Sequence, residues 1–123
     1  QYQARRDLIV NGLNNINGIS CLKPEGTFYA IANIKKLGIL SEKFSLDLLH
    51  NGYVASCPGI FFGSNGEGFV RFCFANSLEN IEIGLDRINK YINALWESIM
   101  QIEVSYLIFK KINDDKYYNY LIK

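Results

Sequence analysis

The sequence predicts a two-layer α/β domain in which helices pack over a short mixed or antiparallel sheet, and three observations carry that expectation. Leu78, Ile81, Leu85, Ile88, Ile92 and Leu95 recur at alternating steps of three and four residues, which puts one apolar stripe along a helix. The stretch from Phe69 to Phe74 alternates instead, with Val70, Phe72 and Phe74 on one face of a strand and Phe69, Arg71 and Cys73 on the other. Between these and the N-terminal region lie apolar runs too short for helices, each bounded by proline, glycine or asparagine.

Taken in order, Ile9, Leu13 and Ile16 have helical spacing, and Asn17-Gly18 follows where a left-handed residue would close a first helix. Ile19 to Leu22 and Phe28 to Ala32, separated by Lys23-Pro24-Glu25-Gly26-Thr27, read as two strands or a strand and a turn, with the two runs expected to pair. Ser41 is placed to cap a second helix carrying Phe44 and Leu48 on one face, with Asn51-Gly52 as its stop. Val54 to Ser56 reads as a further short strand. The glycine-rich loop Gly63 to Gly68 leads as a hairpin-like turn into the Arg71 strand. Ser77 is then the natural cap of the long helix, with Glu79 and Glu82 complementing the positive end of its dipole. From Glu97 the pattern loosens into an aromatic and basic tail, so the chain divides into a domain over 1–96 and a C-terminal extension or terminal helix over 97–123.

Composition narrows the function. Thirteen basic and twelve acidic residues leave a net charge of +1, which supplies no broad electrostatic footprint for nucleic acid. Cys21, Cys57 and Cys73 are dispersed and odd in number, which suits a reducing compartment and a cytoplasmic location. No uninterrupted apolar run is long enough to cross a bilayer, and the first residues do not form a signal peptide. The absence of an initial methionine is the mark expected of a fragment or a processed product.

Arg71 is the residue that demands an explanation. A guanidinium keeps its charge, and placing it in an otherwise apolar strand is costly unless a carboxylate or phosphate meets its planar fork of donors. It is therefore either an anion anchor or a structural arginine paired with an acid such as Glu67 or Asp86. Other motifs carry less. Gly63 to Gly68 precedes a strand and lacks the Gly-Lys-Ser/Thr ending of a phosphate loop. Ser20-Cys21-Leu22-Lys23 matches Ser-x-x-Lys without any companion motif, and His50 sits where a helix C-terminus favours a basic group. One histidine and scattered thiols give poor support for a metal site. Gly66 to Phe72 partly matches an RNA-recognition strand, but Asn65 stands where a base is needed and Glu67 where a stacking ring is needed. An RNA-binding module using Phe69 to Phe72 and a stand-alone carboxylate-binding domain remain the alternative functions.

Three motifs together, Tyr2-x-x-Arg5-Arg6-Asp7, Pro24-Glu25-Gly26-Thr27-Phe28-Tyr29 and Pro58-Gly59-x-x-Phe62-Gly63-x-x-Gly66-Glu67-Gly68-Phe69-Val70-Arg71-Phe72, resemble the C-terminal small domain of class I pyridoxal-phosphate aminotransferases, in the aspartate aminotransferase-like branch. The resemblance covers about residues 1 to 95. It implies the small domain of a fold-type I enzyme that moves an amino group between an amino acid and a 2-oxo acid, with Arg71 binding the substrate α-carboxylate. It also implies a homodimer for the complete enzyme, and with the charge and the apolar runs as they are, no membrane or nucleic-acid partner is expected. The family's cofactor lysine and most cofactor contacts lie in a large domain without counterpart in this sequence. No catalytic and no cofactor-binding residue is expected here, the chain alone is expected to be inactive, and the Arg71 surface, with Phe61 and Phe62, is expected to be exposed and prone to self-association.

Overall fold

Four strands form one antiparallel sheet in the order β1-β2-β4-β3, which decides between the mixed and antiparallel alternatives. The structure is a computed structural model that describes the backbone of residues 2–121 and the side chains of residues 2–114. The strands are β1 (Ser20–Cys21), β2 (Tyr29–Asn33), β3 (Cys57–Pro58) and β4 (Phe69–Cys73), and the helices are α1 (Tyr2–Asn14), α2 (Ser41–Gly52) and α3 (Leu78–Leu121). The chain divides into two compact units, Gln1–Ile92 and Asn93–Lys123.

In the first unit the alternation of β4 is realised as expected. Val70, Phe72 and Phe74 are buried, while Phe69 and Arg71 are half-buried and Cys73 is exposed. Leu13 of α1, Phe44 and Leu48 of α2 and Ile92 of α3 are fully buried in the same core. Helices α1 and α3 approach closely at Gly12, where a Cβ would meet the Leu85 side chain. β1 and β2 pair as expected, Cys21 opposite Ala32. The outer edge of β1 is then closed by Asn14, whose side chain donates to the Cys21 carbonyl (2.9 Å) and accepts from the Cys21 N–H (2.8 Å). A side-chain amide thus does the work of a neighbouring strand at an edge that would otherwise leave peptide groups unpaired. Ser77 caps α3 by accepting from the Asn80 N–H at 3.1 Å.

Several boundaries differ from the sequence reading, each for a local reason. α1 ends at Asn14, and Ile16 enters the core from a turn in which its N–H bonds the Leu13 carbonyl. Gly18 does hold a positive φ of 96°, but four residues beyond the helix. The third strand is Cys57–Pro58, not Val54 to Ser56, because the register of β4 places Arg71 and Val70 opposite those two residues. α2 ends at Gly52 as expected, but the left-handed position falls on Tyr53 at φ 57°, and Gly52 is kept small because a Cβ would lie 2.8 Å from Leu48 Cδ1.

A tyrosine in that conformation carries strain of roughly 1 kcal/mol that glycine does not. The Tyr53 side chain is exposed, so little packing is lost on its removal. Tyr53→Gly is therefore expected to stabilise the protein by about 0.5 kcal/mol after the added freedom of the unfolded chain is subtracted. Urea denaturation measures this, and a lowered midpoint would show that the ring contributes more by packing than the backbone loses by strain.

The second unit is helical, with α3 assigned through Leu121. Its described side chains from Gln101 onward are exposed, Ile102, Leu107 and Phe109 among them. No helix among the described residues is long and apolar enough to cross a membrane.

Candidate functional site

β4 presents Arg71 from its open face, opposite Ile31 of β2 on one side and Cys57 of β3 on the other. The antiparallel register sets Tyr29 opposite Cys73, diagonally adjacent to Arg71 and within reach of a long side chain. The guanidinium carbon lies 4.2 Å from the centre of the Tyr29 ring and 4.6 Å from that of Phe62. Both rings attract the cation through their faces. Neither consumes its in-plane N–H donors, and among the described residues the Arg71 side chain makes no ion pair and no hydrogen bond to an acceptor. The two acids considered as its structural partners are engaged elsewhere: Asp86 pairs with Lys90 at 3.0 Å, and Glu67 binds Ser41.

Phe62 reaches Arg71 because of the segment between β3 and β4. The sequence reads Gly63 to Gly68 as one hairpin-like turn. Antiparallel pairing of β3 with β4 bears out the hairpin, but its connection is built from two short 3₁₀ turns, Gly59–Phe62 and Ser64–Gly66. They press together where Gly59 meets Gly66: a Cβ on either would lie 2.0 Å from the other's carbonyl oxygen. Gly68 then needs φ +90° to turn the chain into β4.

Ser41 fastens this connection to α2, in a role different from the expected one. The N-cap is Leu40, which has no side-chain cap bond, and Ser41 is the first helical residue. Its N–H donates to Glu67 Oε1 at 2.8 Å and its hydroxyl to Glu67 Oε2 at 2.6 Å, while the same hydroxyl accepts from the Ile60 N–H at 3.3 Å. The cap of α2 is thus a carboxylate supplied from 26 residues away, which is favourable at the positive end of a helix dipole. Glu67, Ser41 and Ile60 together hold the first 3₁₀ turn, and through it Phe62, beside Arg71.

The hydrogen bonds from the Ser41 hydroxyl and N–H hold the Glu67 carboxyl below its ordinary pKa. A depressed folded-state value means stability that is present above the unfolded value and lost as pH falls through the folded one. The protein is therefore expected to lose stability on acidification below about pH 4.5, and Glu67→Gln to show a shallower acid limb. Thermal melts of both proteins between neutral and acid pH test this, since the Asp7 carboxyl, lowered by Lys23 and then Arg6, is common to both. Parallel acid limbs would remove Glu67 as the cause.

Ile31, Gly59, Phe62, Gly66, Phe69, Val70 and Arg71 line a hollow of about 360 Å³ on this face. Its lining offers one cation and otherwise hydrocarbon and glycine backbone. An amine to carry pyridoxal phosphate, an acid to face its ring nitrogen and a set of donors for its phosphate are not among these residues, so the cofactor is not assigned to this hollow. Phe61 and Phe62 are both exposed, but only Phe62 lines this hollow; Phe61 lies with Leu46 and Leu49 of α2 along a separate one. Of the weaker sequence candidates, Ser20 and Lys23 line an adjoining hollow that shares Ile31 and Phe69, with Lys23 paired to Asp7 at 3.1 Å, and His50 is exposed in the last turn of α2. Cys73 shares the Arg71 face, whereas Cys21 is buried in β1, and burial pushes its thiol pKa up. Tyr29 and the Ser41–Glu67 pair are the site residues that sequence reasoning missed. Strand alternation alone puts Tyr29 on one face of β2, but only the register brings that face to Arg71.

A scan of protein-family models finds no match. Individual proteins do match. The chain is 42% identical over 90 residues to the aspartate aminotransferase of Pyrococcus horikoshii, covering 73% of this chain and 23% of that protein. It is 38% identical over 90 residues to aromatic-amino-acid aminotransferase 2 of Thermococcus litoralis, with the same coverage. Among solved structures, the aromatic aminotransferase of Pyrococcus horikoshii superimposes with a TM-score of 0.73 at 36% identity, covering 76% of this chain and 24% of that one. The chain thus spans about a quarter of the length of the relatives it matches. In sequence and in fold it corresponds to the C-terminal part of the aminotransferases of pyridoxal-phosphate fold type I.

Proposed function

We propose that this chain is the substrate-carboxylate-binding part of an aminotransferase that moves an amino group between an amino acid and a 2-oxo acid, with Arg71 as the anchor of the α-carboxylate. The observation that carries the reading is the state of Arg71: half-buried in the middle of a strand, set against two rings, and without an acid among the described residues. Its donors lie in one plane, so a carboxylate meeting them forms two parallel charge-assisted bonds that fix orientation as well as position. Such a clamp holds the substrate's amino group at a defined place relative to the bond-making centre. Tyr29 and Phe62 limit the sweep of the guanidinium, and Ser41, Glu67 and the Gly59–Gly66 contact hold Phe62 in turn.

Pyridoxal phosphate would supply the electron sink for amino-group exchange, held by residues outside this chain, and the chain alone would then not transaminate. The experiment is substitution of Arg71 in a complete enzyme, comparing substrates with and without the carboxylate. A second copy of that enzyme and a cytoplasmic location belong to the same proposal.

A further inference from the structure

We propose that the hollow beside Arg71 selects carboxylates that carry an apolar body, an aryl or branched alkyl group, over dicarboxylates. The inference rests on the reading of Arg71 as a carboxylate anchor and adds the substrate class. Arg71 is the single charged residue of the lining; Ile31, Phe62 and Phe69 supply its side-chain surface, and Gly59, Gly66 and the main chain at Val70, whose side chain is turned into the core, complete it. A hollow of about 360 Å³ admits a phenyl or isobutyl group attached to a carboxylate held at the guanidinium. A second carboxylate entering the same space would lose its hydration without gaining a cation. Lys35 and Lys23 are basic residues nearby, but neither lines the hollow: the Lys35 ammonium sits over the Phe69 ring at 4.7 Å, and Lys23, in an adjoining hollow past Ile31 and Phe69, pairs with Asp7 at 3.1 Å. The relatives named above include both an aspartate and an aromatic-amino-acid enzyme, so resemblance alone does not choose between the two classes.

The test titrates the full chain with acetate, succinate, 3-phenylpropionate and the neutral 3-phenylpropanamide, following the Ile31 methyl and Arg71 side-chain resonances by NMR. Covering one ring face against Ile31 and Phe69 is expected to make 3-phenylpropionate bind about tenfold or more tighter than acetate. Succinate should gain no more than about threefold over acetate, because its second charge finds no partner. The amide should bind about tenfold more weakly than the acid, and Arg71→Ala should remove the preference for the acid while the amide is unaffected. If all three carboxylates bind alike and all are lost in Arg71→Ala, the apolar class is overturned while the anchor stands. Succinate binding tighter than 3-phenylpropionate has the same meaning. If acid and amide bind alike in the unsubstituted chain, the anchor itself fails and the inference with it; that comparison does not depend on any variant folding.

Discussion

Arg71→Ala, in a complete enzyme containing this chain, is expected to lower kcat/KM for amino acids by roughly 30-fold to several-thousand-fold, the range for losing a charge-assisted pair worth about 2 to 5 kcal/mol in a closed site. Arg71→Lys should fall between that variant and the parent. It keeps the charge but replaces a planar fork with a point charge that cannot make two parallel bonds or lie flat against Tyr29 and Phe62. An amine substrate without the carboxylate never uses the clamp and should be affected far less. The informative quantity is that difference within one variant. Equal losses for both substrates in a folded protein would mean that Arg71 holds the site together and does not read the carboxylate.

Replacing Gly59 or Gly66 by alanine should have the largest effect on stability. Each added Cβ would fall 2.0 Å from a backbone oxygen of the other turn, and on Gly59 also 2.5 Å from the Phe69 carbonyl oxygen. Backbone cannot rotate away as a flexible side chain can, so the two 3₁₀ turns must separate. A destabilisation of about 3 kcal/mol, the upper end of the usual cost of overpacking, follows from the collision with a fixed main chain. Because both substitutions break one contact, the double variant should lose much less than the sum of the two. The turns carry Ile60 on the Ser41 hydroxyl and Phe62 on the Arg71 guanidinium, so the NMR resonances of both should shift even where the fold survives. Urea midpoints give the first quantity. A loss below about 1 kcal/mol, within the range of ordinary surface changes, would show that the turns are not tightly apposed in solution.

The sequence by itself determined the parts of this protein that depend on local periodicity and local chemistry. The alternation of Phe69 to Phe74 fixed which β4 residues enter the core, and it isolated Arg71 on the open face. The three- and four-residue steps from Leu78 to Leu95 fixed a helix, with Ser77 as its cap. These follow from the pitch of a helix and the pleat of a strand, which act within a few residues. The three motifs also led to the family, because their order and spacing can be read without coordinates.

Tertiary structure decided everything that requires two distant segments to meet. Ser41 looked like a helix cap and Glu67 like a partner for Arg71. In the fold they bind each other, which leaves Arg71 without an acid among the described residues. α2 does end at Gly52, but the lack of a side chain there serves packing against Leu48, and Tyr53 takes the left-handed turn. Tyr29 reaches Arg71 only through the β2–β4 register, and Phe62 only through the apposition of Gly59 and Gly66. A carboxylate, a hydroxyl or a glycine can satisfy several neighbours equally well, and its nearest neighbours in sequence do not say which. The choice is made when burial brings one of them within hydrogen-bonding or van der Waals distance and excludes the rest.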